Sequence, residues 1–200
     1  FYNWINNQTL FKRSYPKRII NSFYFDDDNY SSANDNIIGI PNRKKYRLRW
    51  YNNDVSKLNF EVKIRKNHLN KKKIFNISEN IIELIEDKNL LFKKINRLLI
   101  YENIILRNYI TPKLRVTYNR EYYVNNDGIR LTIDDELYFN DSKLIFKPYN
   151  YFNNYKIIEL KFEATKKDIV SRLIKKLNFS PVRQSKYVLG LSKLGFISYI

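Results

Sequence analysis

Several segments carry charged side chains at every second position, with apolar residues between them. Arg43, Lys45, Arg47 and Arg49 alternate with Tyr46, Leu48 and Trp50, and Glu61, Lys63 and Arg65 alternate with Phe60, Val62 and Ile64. Arg130, Thr132 and Asp134 oppose Ile129, Leu131 and Ile133, and Glu159, Lys161 and Glu163 oppose Ile158, Leu160 and Phe162. Arginine offers a planar, permanently charged fork that matches phosphate oxygens. A surface that gathers Arg47, Arg49, Arg120 and Arg130 with Lys63 and Lys161 repels itself unless a polyanion fills it. Glu61 and Glu159 each stand two positions from a lysine and share its face. They either neutralise those lysines or hold a hard divalent cation, Mn²⁺ or Mg²⁺. An anion clamp with a metal carboxylate is equipment for phosphoryl transfer.

Composition agrees with that chemistry and removes others. The chain has 200 residues, with 37 Lys and Arg against 20 Asp and Glu, a formal net charge of +17. Such an excess calls for nucleic acid, anionic lipid or a phosphorylated small molecule as partner. Abundant Asn, Ile, Lys, Tyr and Phe also fit drift in an AT-rich genome, so the placement of charge on strands is the stronger argument. There is no Cys, which excludes disulfides and thiolate zinc sites. The one histidine, His68, sits in a polar stretch and reads as a solvent-facing loop residue, so histidine-dependent hydrolases fall away. No apolar run is long enough to span a bilayer, and no signal peptide is visible. The chain contains no Met and begins at Phe1, which reads as a fragment.

Side chains on a strand alternate faces with period two, so the elements that position these charges are strands. Phe1 to Phe11 reads as the tail of an amphipathic helix, and Arg18 to Asp26 as a strand after the break at Pro16. Residues 27 to 42 read as a long loop, followed by strands near 43–51 and 58–65 around the turn Asn52-Asn53-Asp54. Asn67 to Lys73 reads as a basic loop. Ser78 is placed to cap a helix carrying Ile81, Ile82, Leu84 and Ile85, with another over Asn89 to Ile100. Strands over 113–124 and 128–139 join through Asn125-Asn126-Asp127-Gly128, and another runs over 156–163. Thr165 to Asp168 has capping-box spacing before a helix with Ile169, Val170, Leu173, Ile174 and Leu177 on one face. Ser185-Lys186-Tyr187 opens a last short helix. With no long linker, residues 1–200 read as one α+β domain. An open sheet with a solvated charged face is one arrangement; a closed antiparallel β-barrel, apolar outside under helices and ionic inside, accounts better for faces so rich in arginine.

The motifs in their order resemble a known family. Tyr24-Phe25-Asp26, Gly39 followed by Arg43, Lys45, Arg47 and Arg49, and Phe60-Glu61-Val62-Lys63 come first. Pro112, Val116-x-Tyr118-x-Arg120, Arg130-x-Thr132-x-Asp134, Ile158-Glu159-Leu160-Lys161 and Ser185-Lys186-Tyr187-Val188-x-Gly190 follow. Together they resemble the VTC domain, the polyphosphate polymerase branch of the triphosphate tunnel (CYTH-like) proteins, over roughly residues 18–192. The resemblance implies a β-barrel tunnel with flanking helices, ATP and polyphosphate as partners, and a divalent metal, usually Mn²⁺. It assigns the phosphate grip to Arg47, Arg49, Lys63, Arg120, Arg130 and Lys186. Ser185, Tyr118, Arg43, Lys45 and Lys161 become further substrate contacts, and Glu159, with Glu61, the metal ligands.

The family opens with a strand carrying Glu and Lys into the tunnel, and this chain starts after it, so the first strand is expected to be missing. A cytoplasmic location is expected, with membrane association only through segments outside this chain. Three alternatives share the charged strands: a tunnel-type inorganic or RNA triphosphatase, a non-catalytic polyphosphate-binding module, and a nucleic-acid-binding β domain. The last needs exposed aromatics for stacking, whereas Phe60, Phe162 and Trp50 alternate away from the charges and read as core.

Overall fold

The computed structural model describes residues 2–8, 11–67, 69–77, 88–142, 151–175, 177 and 180–198. Eight strands form one antiparallel sheet: β1 Lys12–Asp26, β2 Arg43–Tyr51, β3 Asp54–Lys66, β4 Leu69–Ile77, β5 Thr111–Val124, β6 Arg130–Asp141, β7 Tyr151–Asn153 and β8 Ile157–Lys161. Their order is β4-β3-β2-β1-β5-β6-β7, and β8 also pairs with β6. Helices flank the sheet: α1 Tyr2–Gln8, α2 Ser31–Ile37, α3 Lys88–Tyr101, α4 Lys167–Lys175 and α5 Lys186–Lys193. The α+β class holds, but the barrel is not closed. Among the described residues no pairing joins β4 to β7 or β8.

Alternation sets where each face goes. Tyr46, Leu48 and Trp50 of β2 bury with Phe23, Phe25, Phe60 and Val62 beneath Leu91, Ile95 and Leu99 of α3. Each such side chain contributes about 1.5–3 kcal/mol on burial. Tyr123, Leu131 and Ile133 make a second outer core with Trp4 and Ile5 of α1 and Val170 of α4. The inner face, which carries the charges, is apolar over part of its area. There Leu114, Val116 and Phe139 pack on Tyr187, Val188 and Leu191 of α5. Gly190 makes that approach possible: a Cβ on it would lie 2.6 Å from both Leu114 and Phe139 side chains.

Three elements differ from expectation. β1 begins at Lys12 instead of Arg18, because register shifts around Tyr15 accommodate Pro16 within the strand. The segment 27–42 contains α2, whose first amides are held by carboxylates: Asp26 accepts from Ser32 and Ala33, and Asp27 from Asn29 and Ser31. The segment 67–73 turns at Asn67 (φ 54°) and enters β4, which among the described residues pairs with β3 alone. Exposed lysines on such an edge discourage further pairing and hide the period-two signal. The β2–β3 turn is tighter than expected, with Asn52 at φ 51° and β3 starting at Asp54. Phe60 and Trp50 are core, but Phe162 lies beyond β8 and is exposed. His68 and the helix expected behind Ser78 fall outside the described residues. Among the described residues no helix is long and apolar enough to cross a membrane.

Candidate anion-binding site

Cross-strand register puts the charged residues on one face. Arg47 stands opposite Tyr24 and Glu61, Lys45 opposite Lys63, and Arg49 opposite Ser22. Arg120 stands opposite Asp134, Thr132 opposite Glu159, and Arg130 opposite Lys161. Directly opposed residues share a face of the sheet, so six strands contribute to one ionic strip.

Two buried carboxylates organise the strip. Glu61 accepts from Arg47 Nε at 2.5 Å and from Lys72 Nζ at 2.8 Å. Asp134 accepts from Arg120 Nε at 2.5 Å and Nη2 at 2.7 Å, and pairs with Lys186 Nζ at 2.5 Å. Between the two clusters Arg49 donates to Ser22 Oγ at 3.4 Å and to the Tyr118 hydroxyl at 3.3 Å. The Tyr118 ring faces Arg120 at 5.3 Å and Lys186 at 5.0 Å, a cation–π arrangement on both. Tyr24 stacks on Tyr187 with ring centroids 5.1 Å apart. Lys45 Nζ reaches Ser185 Oγ, in front of α5, at 3.0 Å.

The electrostatics follow from this crowding. Burial works to raise the Glu61 carboxyl, but Arg47, Arg49 and Lys72 outweigh it and hold it below its ordinary value. Asp134 behaves the same way under Arg120 and Lys186. Burial also opposes ionisation of the Tyr24 phenol, yet Arg47, Arg49 and Lys186 bring it below its usual value. Among the described residues Lys45 pairs with no carboxylate. Burial, then Lys63, Arg43, Arg183 and Arg47, bring its ammonium down to about 7. Lys161 is lowered by burial, with Glu159 opposing.

Of the residues singled out in the sequence, Arg47, Arg49, Lys45, Tyr118, Arg120, Lys186 and Ser185 join in this strip through direct contacts. Glu159 and Lys161 flank it. The Glu159 carboxylate lies 3.5 Å from Lys161 Nζ and 4.0 Å from Arg120 Nη2. Lys63 and Arg130 are exposed on the same face. Arg43 stands apart: its guanidinium turns back to the Ile40 carbonyl at 2.6 Å, at the rim. Sequence reasoning missed Lys72, Asp134, Tyr24 and Thr132 as members of the site. Lys72 was hidden by reading β4 as loop. The other three lie in the motifs that were recognised, but nothing local marks them as partners. Thr132 Oγ1 is buried with no hydrogen-bond partner among the described residues, a polar atom aimed into an ionic site.

As a metal donor set the residues are spare. Among the described residues no three His, Asp or Glu side chains converge. Both oxygens of Glu61 are engaged by cations, whereas Glu159 is half-exposed. The donors therefore fit a hard ion that takes Glu159 and completes its shell with phosphate oxygens and water.

The family model for the VTC domain matches residues 5–195. Two solved structures are similar in fold. The PH1819 protein from Pyrococcus horikoshii OT3 is 16% identical, with a TM-score of 0.50, covering 97% of this chain and 91% of that one. A putative adenylyl cyclase, HpAC1 from Hippeastrum, described as having a dominant triphosphatase activity, is also 16% identical. Its TM-score is 0.55, over 90% of this chain and 85% of that one. No curated protein matches the sequence.

Proposed function

From its place in the VTC domain family, to which this chain belongs, and from its ionic strip, we propose that it is an ATP-dependent polyphosphate polymerase. The observation that carries this reading is the cationic face anchored at Glu61 and Asp134, with Lys45, Arg49 and Lys63 in no ion pair among the described residues. The terminal phosphate of a polyphosphate chain attacks the γ-phosphoryl group of ATP in line, a new P–O–P bond forms, and ADP leaves. The attacking oxygen is already ionised, so no general base is needed; the task is to overcome repulsion between two polyanions and to align them. Arg47, Arg49, Lys63, Arg120, Arg130 and Lys186 hold phosphate oxygens, with Lys45, Ser185, Tyr118 and Lys161 beside them. Arg43, turned toward Ile40, serves the rim. Thr132 Oγ1 adds an unused hydrogen-bonding group. Glu159 would hold a divalent ion, Mn²⁺ or Mg²⁺, which would supply charge neutralisation on the phosphoryl group. Glu61 is better suited to hold Arg47 and Lys72 than to bind metal. ATP as substrate goes with a cytoplasmic location.

Incubation with ATP and Mn²⁺, followed by gel separation of long polyphosphate from orthophosphate, tests the reading. Polymer with matching ADP is expected. Orthophosphate without polymer would transfer the protein to the hydrolytic reading, which the triphosphatase description of HpAC1 favours. Binding without either product would leave a polyphosphate-binding module. Within the polymerase reading, Glu159→Ala is expected to abolish metal-dependent turnover with the fold intact, checked by turnover against Mn²⁺ concentration and by circular dichroism.

A further inference from the structure

A second charged cavity lies beside the ionic strip. It has a volume of about 310 Å³, at the lower end of small-molecule sites, between α2, the start of β2, the end of β3 and the segment 105–110. Lys44 and Tyr46 reach it from the face of β2 opposite Lys45 and Arg47, whereas Arg43 and Arg65 reach it from the strip's own face at the end of β2 and β3. None of Arg47, Arg49, Arg120 and Asp134 lines this cavity.

The two signs of charge in the cavity are not equivalently satisfied. Asp26 accepts three backbone amides and the Tyr187 hydroxyl at 2.9 Å. Asp27 accepts the amides of Asn29 and Ser31 and the Asn108 side chain, and Asp35 pairs with Arg107 at 3.1 Å. The acids are therefore consumed in holding α2 and the segment beside it. Opposite them stand cations whose partners are neutral carbonyls. Lys44 Nζ donates to Ile105 O at 2.6 Å, Arg43 to Ile40 O at 2.6 Å, and Arg65 Nε to Asn67 O at 2.8 Å. Among the described residues none of these three forms an ion pair. Burial and mutual repulsion lower both Arg43 and Lys44, Arg65 and Arg183 acting on the first against an opposing pull from Asp35, and Arg107 on the second. The remaining wall is apolar, with Tyr46, Ile64 and Ile110.

We propose that this cavity binds a small phosphorylated molecule, its phosphate on Arg43, Lys44 and Arg65 and its organic remainder against Tyr46, Ile64 and Ile110. Three cations that form no ion pair among the described residues, beside an apolar wall and in a lining where Lys and Arg outnumber Asp, suit a group that is anionic at one end and apolar at the other. The site adjoins the ionic strip, with Arg43 at the rim between them, and does not require that strip to be catalytic.

Calorimetric titration of the full chain with pyrophosphate, at low ionic strength, tests it. The double variant Lys44→Gln with Arg65→Gln is expected to lose one binding equivalent per chain relative to wild type. Equal numbers of equivalents in the two proteins would overturn the proposal. Lys44→Gln alone keeps a donor for the Ile105 carbonyl and guards against misfolding of the double variant. It is expected to weaken the same equivalent at least about fivefold, and unchanged affinity would again overturn the proposal. A Lys63→Gln with Lys161→Gln variant reads the strip separately: if it changes nothing while the cavity variant loses its equivalent, the reading of the strip fails and that of the cavity stands. ADP is expected to bind the cavity more tightly than pyrophosphate. Equal or weaker binding of ADP would overturn the apolar contact.

Discussion

The two carboxylate-centred clusters use the same chemistry for different structural ends. Glu61 joins β3 to β2 through Arg47 and to the edge strand β4 through Lys72, and the Lys72 side chain is 44% exposed. Asp134 joins β6 to β5 through Arg120 and to α5 through Lys186, with its own side chain fully buried and that of Lys186 only 14% exposed. In the first cluster water shares the work of solvating the cations. In the second the carboxylate is the main partner of two enclosed cations, and it fastens a helix across the sheet. A buried charge left without its partner is far more costly than a wet one, so the clusters differ in consequence although both look like a carboxylate between two cations.

The largest effect is expected at Asp134. Asp134→Ala strands Arg120 and Lys186 and should cost about 3–5 kcal/mol, read from the urea midpoint. Glu61→Ala should cost less, about 1–3 kcal/mol, because Arg47 and Lys72 can turn to water. Equal losses would remove the distinction between the clusters. Gly190→Ala tests the helix side without touching a charge. Its Cβ collides with Leu114 and Phe139, so a loss of about 1–3 kcal/mol is expected in the same denaturation experiment, along with weaker pyrophosphate binding as Ser185 and Lys186 move.

Acid should act through both clusters. Glu61 and Asp134 are lowered in the folded state, so their stabilisation is present above the ordinary carboxylate range near about 4 and is lost as pH falls through their folded values. A urea midpoint that falls less steeply between about pH 5 and 3 in Asp134→Asn than in wild type would confirm the share of that cluster. The smallest effect belongs to Lys45, which reaches the Ser185 hydroxyl in front of α5. Its value of about 7 means that an entering anion must restore a proton above that pH. Affinity for pyrophosphate should be greatest below about pH 7 and fall by up to about tenfold per unit above it, with the slope absent in Lys45→Arg. Titrations in buffers of different ionisation enthalpy would reveal the proton uptake.

Much of the fold was legible because period-two alternation is local. β2, β5 and β6, the Asn125–Gly128 turn and α5 stand close to where residue pattern alone placed them. α2 escaped because its start depends on Asp26 and Asp27, whose carboxylates reach the amides of Asn29 to Ala33 only when β1 ends there. β4 escaped because its buried side begins only at Phe75 and Ile77, so no core imposes a clear pattern on Lys71, Lys72 and Lys73. The cations of the site were visible one by one, since arginine at alternate positions is a feature of a single strand. Their pairings were not, since register joins residues far apart in the chain: Arg47 with Glu61, Arg120 with Asp134, and Asp134 with Lys186.

By itself, then, the sequence determined that a set of strands would each carry one apolar and one cationic face. The reason is that side-chain alternation and charge count are properties of local chain geometry. Only the tertiary structure decided that the sheet stays open among the described residues, that α5 covers part of the charged face, and which cations are already neutralised by Glu61 and Asp134. Those outcomes depend on distances between strands and helices brought together in folding, and at such distances a shift of one residue in register exchanges a paired charge for an unpaired one.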